Sequence, residues 1–147
     1  MFSVTKSFFI PIGHRLTKHK GRCSSYHGHN LKIDITVERQ FLNDNDMVID
    51  FYDLKTMVNE ILDEWDHAMI INQKDFESFS IIKNCESQRL VKLPLAGDPT
   101  SEKMCYVLFG KLFKNIKSLD VELNLKSVTI WESDESFAKF EPAQYTL

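Results

Sequence analysis

Cysteine is scarce in this chain of 147 residues. Cys23, Cys85 and Cys105 are few and odd in number, which argues against a disulfide framework and fits a reduced intracellular compartment. Long apolar runs are missing as well, none approaching the roughly 18 residues of a membrane span. The opening MFSVTKSFFIPIG has a short apolar patch and no small-residue cleavage site, so it reads as folded structure rather than a signal peptide. Positive charge is not in excess: 18 Lys and Arg stand against 21 Asp and Glu, a net charge of −3. That balance lacks the basic field that broad nucleic-acid or acidic-membrane binding needs. Internal repeats, low-complexity tracts and Pro/Gly/Ser linkers do not occur, which leaves one domain over residues 1–147 as the expectation. No Gly-rich phosphate loop, G-x-S-x-G elbow or C-x-x-C pair is present. A cytoplasmic protein that acts on neither nucleic acid nor membrane is expected.

Core-forming material, by contrast, is plentiful. Hydrophobic residues make up 43% and charged residues 27%, and eleven Phe, four Tyr and two Trp can fill a core or a buried interface. Phe2, Val4, Phe8, Ile10 and Ile12 share parity and suggest a strand, with Pro11 suited to an edge or strand end. A polar, basic stretch with no helical period follows, HRLTKHKGRCSSYHGHN, and reads as a loop. Leu31, Ile33, Ile35 and Val37 then alternate strictly with Lys32, Asp34, Thr36 and Glu38, the pattern of a half-buried strand.

Asp50 is placed to cap a helix whose one face carries Phe51, Leu54, Met57, Val58, Ile61, Leu62 and Trp65. A second helix is expected from Asp98-Pro99, with Pro99 at its first position and Cys105, Phe109, Leu112 and Ile116 on one face. Residues 68–97 carry little pattern beyond a short strand at Arg89–Leu93. Near the end, apolar parity switches between Val121/Leu123/Leu125 and Val128/Ile130, which places a bulge near Lys126-Ser127, and a last strand is expected around Phe137–Phe140. The predicted order is β-β-α-α-β-β, an α+β layout with two helices on one face of an antiparallel sheet.

Histidine is concentrated: of five, His14, His27 and His29 fall within sixteen residues. In extended backbone, the H-x-H pair at 27 and 29 projects both imidazoles to one side. Antiparallel pairing of the first two strands could bring His14 opposite them. Three neutral imidazoles leave a fourth tetrahedral position open, the pattern of a catalytic zinc site. A surface pair without a metal is the plainer alternative.

Cys23 has three readings: a fourth ligand that joins the three histidines in a structural site, a thiolate beside the metal, or an inert buried thiol. Asp66-His67 could be an oriented acid/base pair or simply a helix-terminal histidine. Arg15, Lys18, Lys20 and Arg22 place four cations in eight residues, suited either to a phosphorylated small molecule or to solvent. Glu132 shares parity with Val128 and Ile130, so it ends a buried row and needs a partner there, such as the N–H edge of a ligand.

Taken in order, H-R-L (14–16), C-x-x-x-H-G-H-N (23–30), M-V-I-D-F (47–51), D-H (66–67), P-T-S-E (99–102) and W-E (131–132) cover nearly the whole chain. This set resembles the 6-pyruvoyltetrahydropterin synthase / 6-carboxytetrahydropterin synthase family. The resemblance implies a tunnelling fold, in which three subunits join their sheets into a barrel, two trimers stack into a homohexamer, and active sites lie between subunits. It implies zinc held by His14, His27 and His29, Cys23 as the catalytic thiolate, and Asp66 and His67 as its acid/base partners. Glu132 would anchor the pterin ring, with Thr100 and Ser101 lining the pocket.

The implied substrate is 7,8-dihydroneopterin triphosphate. Cleavage of its side chain gives 6-carboxytetrahydropterin, acetaldehyde and triphosphate, on the route to queuosine. Internal redox with loss of triphosphate gives 6-pyruvoyltetrahydropterin, on the route to biopterin. The carboxy product is expected, because short single-domain chains of this pattern are more often enzymes of the queuosine route. A non-catalytic pterin-binding or structural-zinc protein is the rival of another class. Two departures stand out: the stretch between Asp66-His67 and P-T-S-E is longer than in the most compact 6-carboxy enzymes, and Ile10 and Gly13 stand where Phe and Ala are usual.

Overall fold

Strict alternation at Leu31, Ile33, Ile35 and Val37 does what a period of two requires: all four side chains are fully buried on one face of a sheet. They belong to strand β2 (His27–Arg39), which pairs antiparallel with β1 (Phe2–His14) over its whole length, from Phe2 opposite Arg39 to His14 opposite His27. A computed structural model of the chain describes residues 1–143. Its other elements are α1 (Phe51–Leu62), β3 (Ala68–Ile71), α2 (Phe76–Ile82), β4 (Arg89–Lys92), α3 (Ser101–Leu119), β5 (Asn124–Trp131) and β6 (Phe137–Phe140). Six strands form one sheet in the order β4-β3-β1-β2-β5-β6. No helix among the described residues is long and apolar enough to cross a membrane.

The α+β class holds, but the sheet is mixed rather than antiparallel, because β3 runs parallel to both β1 and β4. Three helices, not two, accompany it, so the order is β-β-α-β-α-β-α-β-β rather than β-β-α-α-β-β. The additions all lie in 68–97. β4 is the short strand expected at Arg89–Leu93, while the four residues of β3 and the seven of α2 carry no more than two full periods, too few for an alternation or a helical stripe to emerge. The hairpin strands also reach further than expected. Pairing extends through Asn30, Gly28 and His27, so these residues are strand and the loop shrinks to 15–26.

Gly28 is required in that strand, because a Cβ there would lie 2.9 Å from the Ile12 carbonyl oxygen. Pro11 is tolerated because β3 pairs with β1 only from Ile12 to His14, leaving the earlier part of that edge without a strand among the described residues. The parity switch is indeed a bulge: Thr36 faces Ser127 and Val37 faces Leu125, so Lys126 is the extra residue, reaching Glu38 at 3.2 Å. β6 covers Phe137–Phe140, as expected.

Leu54, Val58 and Leu62 of α1, and Met104, Cys105, Leu108, Leu112 and Ile116 of α3, are buried in the same core as the inward residues of β2. Phe51 departs from the expected stripe and is about half exposed. The first turn of α1 is closed by the Asp50 carboxylate, which accepts from Tyr52 N–H at 2.7 Å. α3 starts later than expected. Thr100 rather than Asp98 is its cap, and Pro99 precedes the helix instead of opening it, because the Asp98 carboxylate is bound elsewhere. The opposite face of the sheet is mixed: Thr5 pairs with Thr36 and Asp34 accepts from Ser7 and from the Trp131 indole, while Phe9 lies exposed on it and Trp131 packs against Phe137.

Trp65 is 1% exposed, and its indole N–H has no hydrogen-bond partner among the described residues. Trp65→Phe keeps most of the packing and removes an unpaired buried donor, so it is expected to change stability by less than about 1 kcal/mol. Trp65→Ala should cost about 3–5 kcal/mol through the cavity it leaves. Urea unfolding of the two variants measures the contrast.

Candidate metal centre and its surroundings

The hairpin register brings three imidazoles together. His14 faces His27 directly, and His29 faces Ile12 two residues away, so the three rings converge with centroids 4.6 to 5.1 Å apart. One nitrogen of each lies within 4.8 Å of the others, a spacing that could hold a metal ion. His14 is 1% exposed, and its Nδ1 is 2.9 Å from the Pro99 carbonyl oxygen. A carbonyl only accepts, so Nδ1 carries the proton and the Nε2 lone pair is directed at the cluster. Among the described residues that buried Nε2 has no hydrogen-bond partner.

Burial pushes the His14 pKa below the usual histidine range; the bond to Pro99 only partly offsets this, and His27 and His29 push it further down. A neutral ring results. His27 is fixed the same way, with Nδ1 2.8 Å from the Ser25 carbonyl oxygen. Outer partners that set the tautomer in this manner are the usual support of a ligating histidine. An orphaned, neutral, buried Nε2 beside two more imidazoles suits a borderline divalent cation and has no use in an apolar core.

Glu132, just beyond β5, ends the inward row, as its parity implied. Its Oε1 lies 3.9 Å from His14 Nε2 and 3.8 Å from His29 Nε2, at the mouth of the cluster. The P-T-S-E element is brought to the same place, since Pro99 holds His14. Thr100 Oγ1 accepts from Lys103 N–H as the cap of α3, and Ser101 is half-buried at the first position of that helix.

Cys23 sits in a 3-10 turn at Arg22–Ser24, half-buried, with its carbonyl accepting from Leu16 N–H at 2.8 Å. It is not part of the close-set ligand group, which among the described residues consists of the three histidines. Cys105 differs: it is buried on α3, and burial pushes its thiol up to about 12, an inert core cysteine as expected.

Asp66 and His67 form a pair, with His67 Nδ1 2.7 Å from Asp66 Oδ1. The structure does not bring this pair to the imidazoles of the same chain. His67 N–H donates to the Pro11 carbonyl, three residues before His14, which is about 10 Å along the strand at 3.3 Å per residue. The His67 side chain is 75% exposed. Its backbone φ of 57° is in the left-handed region, a strain of the kind that clusters at functional positions.

Two carboxylates organise the loop carrying Cys23: Asp75, which the sequence reading did not single out, and Asp98, which it read only as a helix start. Asp75 caps α2 and accepts two bonds from the Arg15 guanidinium, at 2.8 and 2.7 Å. Asp98 accepts from Thr17 Oγ1 at 2.7 Å, Lys18 N–H at 2.9 Å and Asn72 Nδ2 at 2.9 Å. Arg15 is therefore consumed internally and is not a free member of the basic rim. Lys18 lines a cleft of about 910 Å3 together with Lys74 and Lys103. A D-x-x-S signal at Asp75–Ser78 could have revealed the cap; nothing local could have revealed the partners of Asp98.

The Arg15 hydrogen bonds hold the Asp75 carboxyl down at about 2, with Ser78 adding to them against the effect of burial. For Asp98, burial pushes the carboxyl up, but the Lys18, Thr17 and Asn72 donors outweigh it and the net direction is down. A carboxylate held below its unfolded value stabilises the fold above that value and loses its contribution as pH falls. Asp75→Asn is therefore expected to be less stable than the native chain near neutral pH. The gap should close between about pH 4 and pH 2, as denaturant unfolding over that range would show.

Comparison with known proteins agrees with this layout. The family described as 6-pyruvoyl tetrahydropterin synthase matches residues 3–143. A protein of Haemophilus influenzae named 6-carboxy-5,6,7,8-tetrahydropterin synthase is 29% identical over 145 residues, covering 96% of this chain and 99% of the relative. A Halobacterium salinarum protein named as a probable 6-carboxy-5,6,7,8-tetrahydropterin synthase is 32% identical over 126 residues, 84% of this chain and 76% of its own. The solved 6-pyruvoyl tetrahydropterin synthase of Caenorhabditis elegans superposes with a TM-score of 0.69 at 23% identity, covering 97% and 96% of the two chains. An uncharacterised protein of Wolinella succinogenes reaches 0.76 at 23% identity, over 95% and 97%. The shared fold is the tunnelling fold, and with the family matched over almost its whole length, the chain belongs to the 6-pyruvoyl tetrahydropterin synthase family.

Proposed function

We propose that this chain is a zinc-dependent synthase, one domain over 1–147, that converts 7,8-dihydroneopterin triphosphate and water to 6-carboxy-5,6,7,8-tetrahydropterin, acetaldehyde and triphosphate. The observation that carries the reading is His14: buried, neutral, its Nδ1 proton held by Pro99 and its Nε2 left without a partner beside His27 and His29. Three converging imidazole nitrogens with room for a further ligand match a catalytic zinc site. Zinc bound there would supply Lewis acidity toward the side-chain hydroxyls of the substrate. The carboxy product is favoured over the pyruvoyl one by the names of the relatives matched over nearly their full length.

The chain's own residues take the remaining roles. Cys23 and His67 move protons on the substrate side chain. Asp66 holds His67 Nδ1, which leaves Nε2 free as the working nitrogen. Glu132, a carboxylate at the cluster mouth, accepts from the N–H edge of the pterin and turns its side chain toward the imidazoles. Thr100 and Ser101 line the pocket next to the Pro99 carbonyl that fixes His14.

A homohexamer in the cytoplasm completes the proposal. The β1 edge before Ile12, which no strand of the described residues covers, and the exposed Phe9 on the sheet face beside it are what a chain would offer if its sheet continued into that of a second copy. Light scattering tests this part, and a concentration-independent monomer would sink it. Supplying zinc-loaded protein with dihydroneopterin triphosphate and assaying acetaldehyde tests the reaction. Acetaldehyde with a carboxypterin is expected; a pyruvoyl product without acetaldehyde would move the chain to the biopterin branch, and no turnover of any pterin would overturn the enzyme reading.

A further inference from the structure

The loop 15–26 leaves the sheet at His14 and returns at His27, so its two ends are fixed by the metal-site register while its middle carries Cys23. Only short internal bonds organise the loop itself, such as Leu16 N–H to Cys23 O and Ser24 N–H to Gly21 O. Among the described residues, the side-chain hydrogen bonds that tie it to distant parts of the chain end on residues 75–98. Arg15 reaches Asp75 and Glu77, and Tyr26 shares a 2.8 Å bond with Ser78, which in turn donates to Asp75. Thr17 and Lys18 reach Asp98. Asp75, Ser78 and Asp98 are all buried, whereas Thr17, Lys18 and Tyr26, which they hold, are exposed.

Asp98 has a particular position in this arrangement. Its carboxylate grips Thr17 and Lys18, next to Leu16, whose N–H holds the Cys23 carbonyl. The very next residue, Pro99, gives the carbonyl that holds His14. One short segment therefore sets both the imidazole at the floor of the cluster and the turn that carries the thiol.

We propose that Asp98, with Asp75 at the other end of the loop, is a positioning residue that fixes where Cys23 stands relative to the three histidines. Neither carboxylate touches substrate or metal; they act through Thr17, Lys18 and Arg15. The idea rests on the reading of Cys23 as a working thiol, but its first test does not need turnover.

Thr17 is the probe, because it is exposed and its substitution spares the buried carboxylate. In a Cys85→Ser background, which removes the exposed thiol, the zinc-loaded protein is treated with iodoacetamide and alkylation of Cys23 is followed by mass spectrometry. Thr17→Val removes the hydroxyl but keeps the shape, and is expected to speed alkylation by at least about threefold, the scale of one lost hydrogen bond that restrains a loop. Thr17→Ser restores the donor and should match the native rate. Asp98→Asn should behave as Thr17→Val does, and combining it with Thr17→Val should add little, because both cut the same link. With pterin substrate, Thr17→Val should lower kcat about tenfold with KM within about twofold and bound zinc unchanged. Equal alkylation rates in the valine and serine variants, a slower rate in the valine variant, or loss of zinc would each overturn the positioning role. Loss of all pterin turnover in the native chain alongside a valine-specific change in alkylation would instead overturn the proposed reaction and leave the brace standing.

Discussion

Cys23→Ala is expected to keep its metal and lose turnover by about 10²–10⁴-fold, the range by which a positioned proton-transfer group accelerates a reaction. His27→Ala is expected to lose both. The separation follows from the geometry. The three histidine nitrogens lie within 4.8 Å of one another without help from sulfur, and two of the rings are already oriented by carbonyls, His14 by Pro99 and His27 by Ser25. Removing the Cys23 thiol leaves that arrangement intact. Removing the His27 ring takes away one of three ligands and leaves a pair that cannot close a tetrahedral site. Metal content measured on the purified variants, next to acetaldehyde release, separates the cases. If Cys23→Ala emptied the site, the structural alternative, with the thiol as fourth ligand beside the three histidines, would replace the catalytic one. Retained turnover in Cys23→Ala would remove the thiol from the mechanism altogether.

What could be read from the sequence was what local periodicity encodes. β2 was legible because one of its faces is buried along its length and a period of two leaves no other arrangement for Leu31, Ile33, Ile35 and Val37. The bulge at Lys126 was legible from the parity change it forces. β3 and α2 were not, and β4, though expected as a short strand at Arg89–Leu93, could not be placed in the sheet, because the pairing that defines β3 and β4 is parallel and non-local and no single short segment records it. The start of α3 was misread for an instructive reason. An aspartate before a proline is a fair helix-start signal, but three donors from elsewhere in the chain compete for that carboxylate and win, so the cap passes to Thr100.

The site divides in the same way. His14, His27, His29 and Glu132 could be named from spacing and parity, since antiparallel strands turn sequence distance into register. The Pro99 carbonyl that sets the His14 tautomer could not, because every residue has a carbonyl and none advertises which will be used. Arg15 looked like one of four loose cations and proves to be committed to Asp75 and Glu77. Composition shows how many charges a loop has; only the fold shows which of them are already paired.

Mixing two inactive variants should restore activity. The Asp66-His67 pair has a working geometry, but it stands about 10 Å along the sheet from the His14 row of its own chain, and His67 is turned out to solvent. A proton-transfer group must come within about 3 Å of the atom it serves, directly or through one water. If His67 works on substrate held at the histidine cluster, the cluster it serves must then be a neighbour's, across the uncovered edge of β1 or an equivalent contact. Cys23→Ala subunits keep His67, and His67→Ala subunits keep Cys23. Each homo-oligomer is expected to be inactive. In an assembly formed at random from equal amounts of the two, a site draws its thiol from one subunit and its imidazole from another. Both are native in about a quarter of sites, so about a quarter of the native activity should return after denaturation and joint refolding. Separate refolding followed by mixing should give far less, because the subunits of the proposed closed ring would exchange slowly. An inactive jointly refolded mixture, with mixed assemblies verified by mass, would place both groups on one chain's site and require the 68–75 segment to move toward its own cluster.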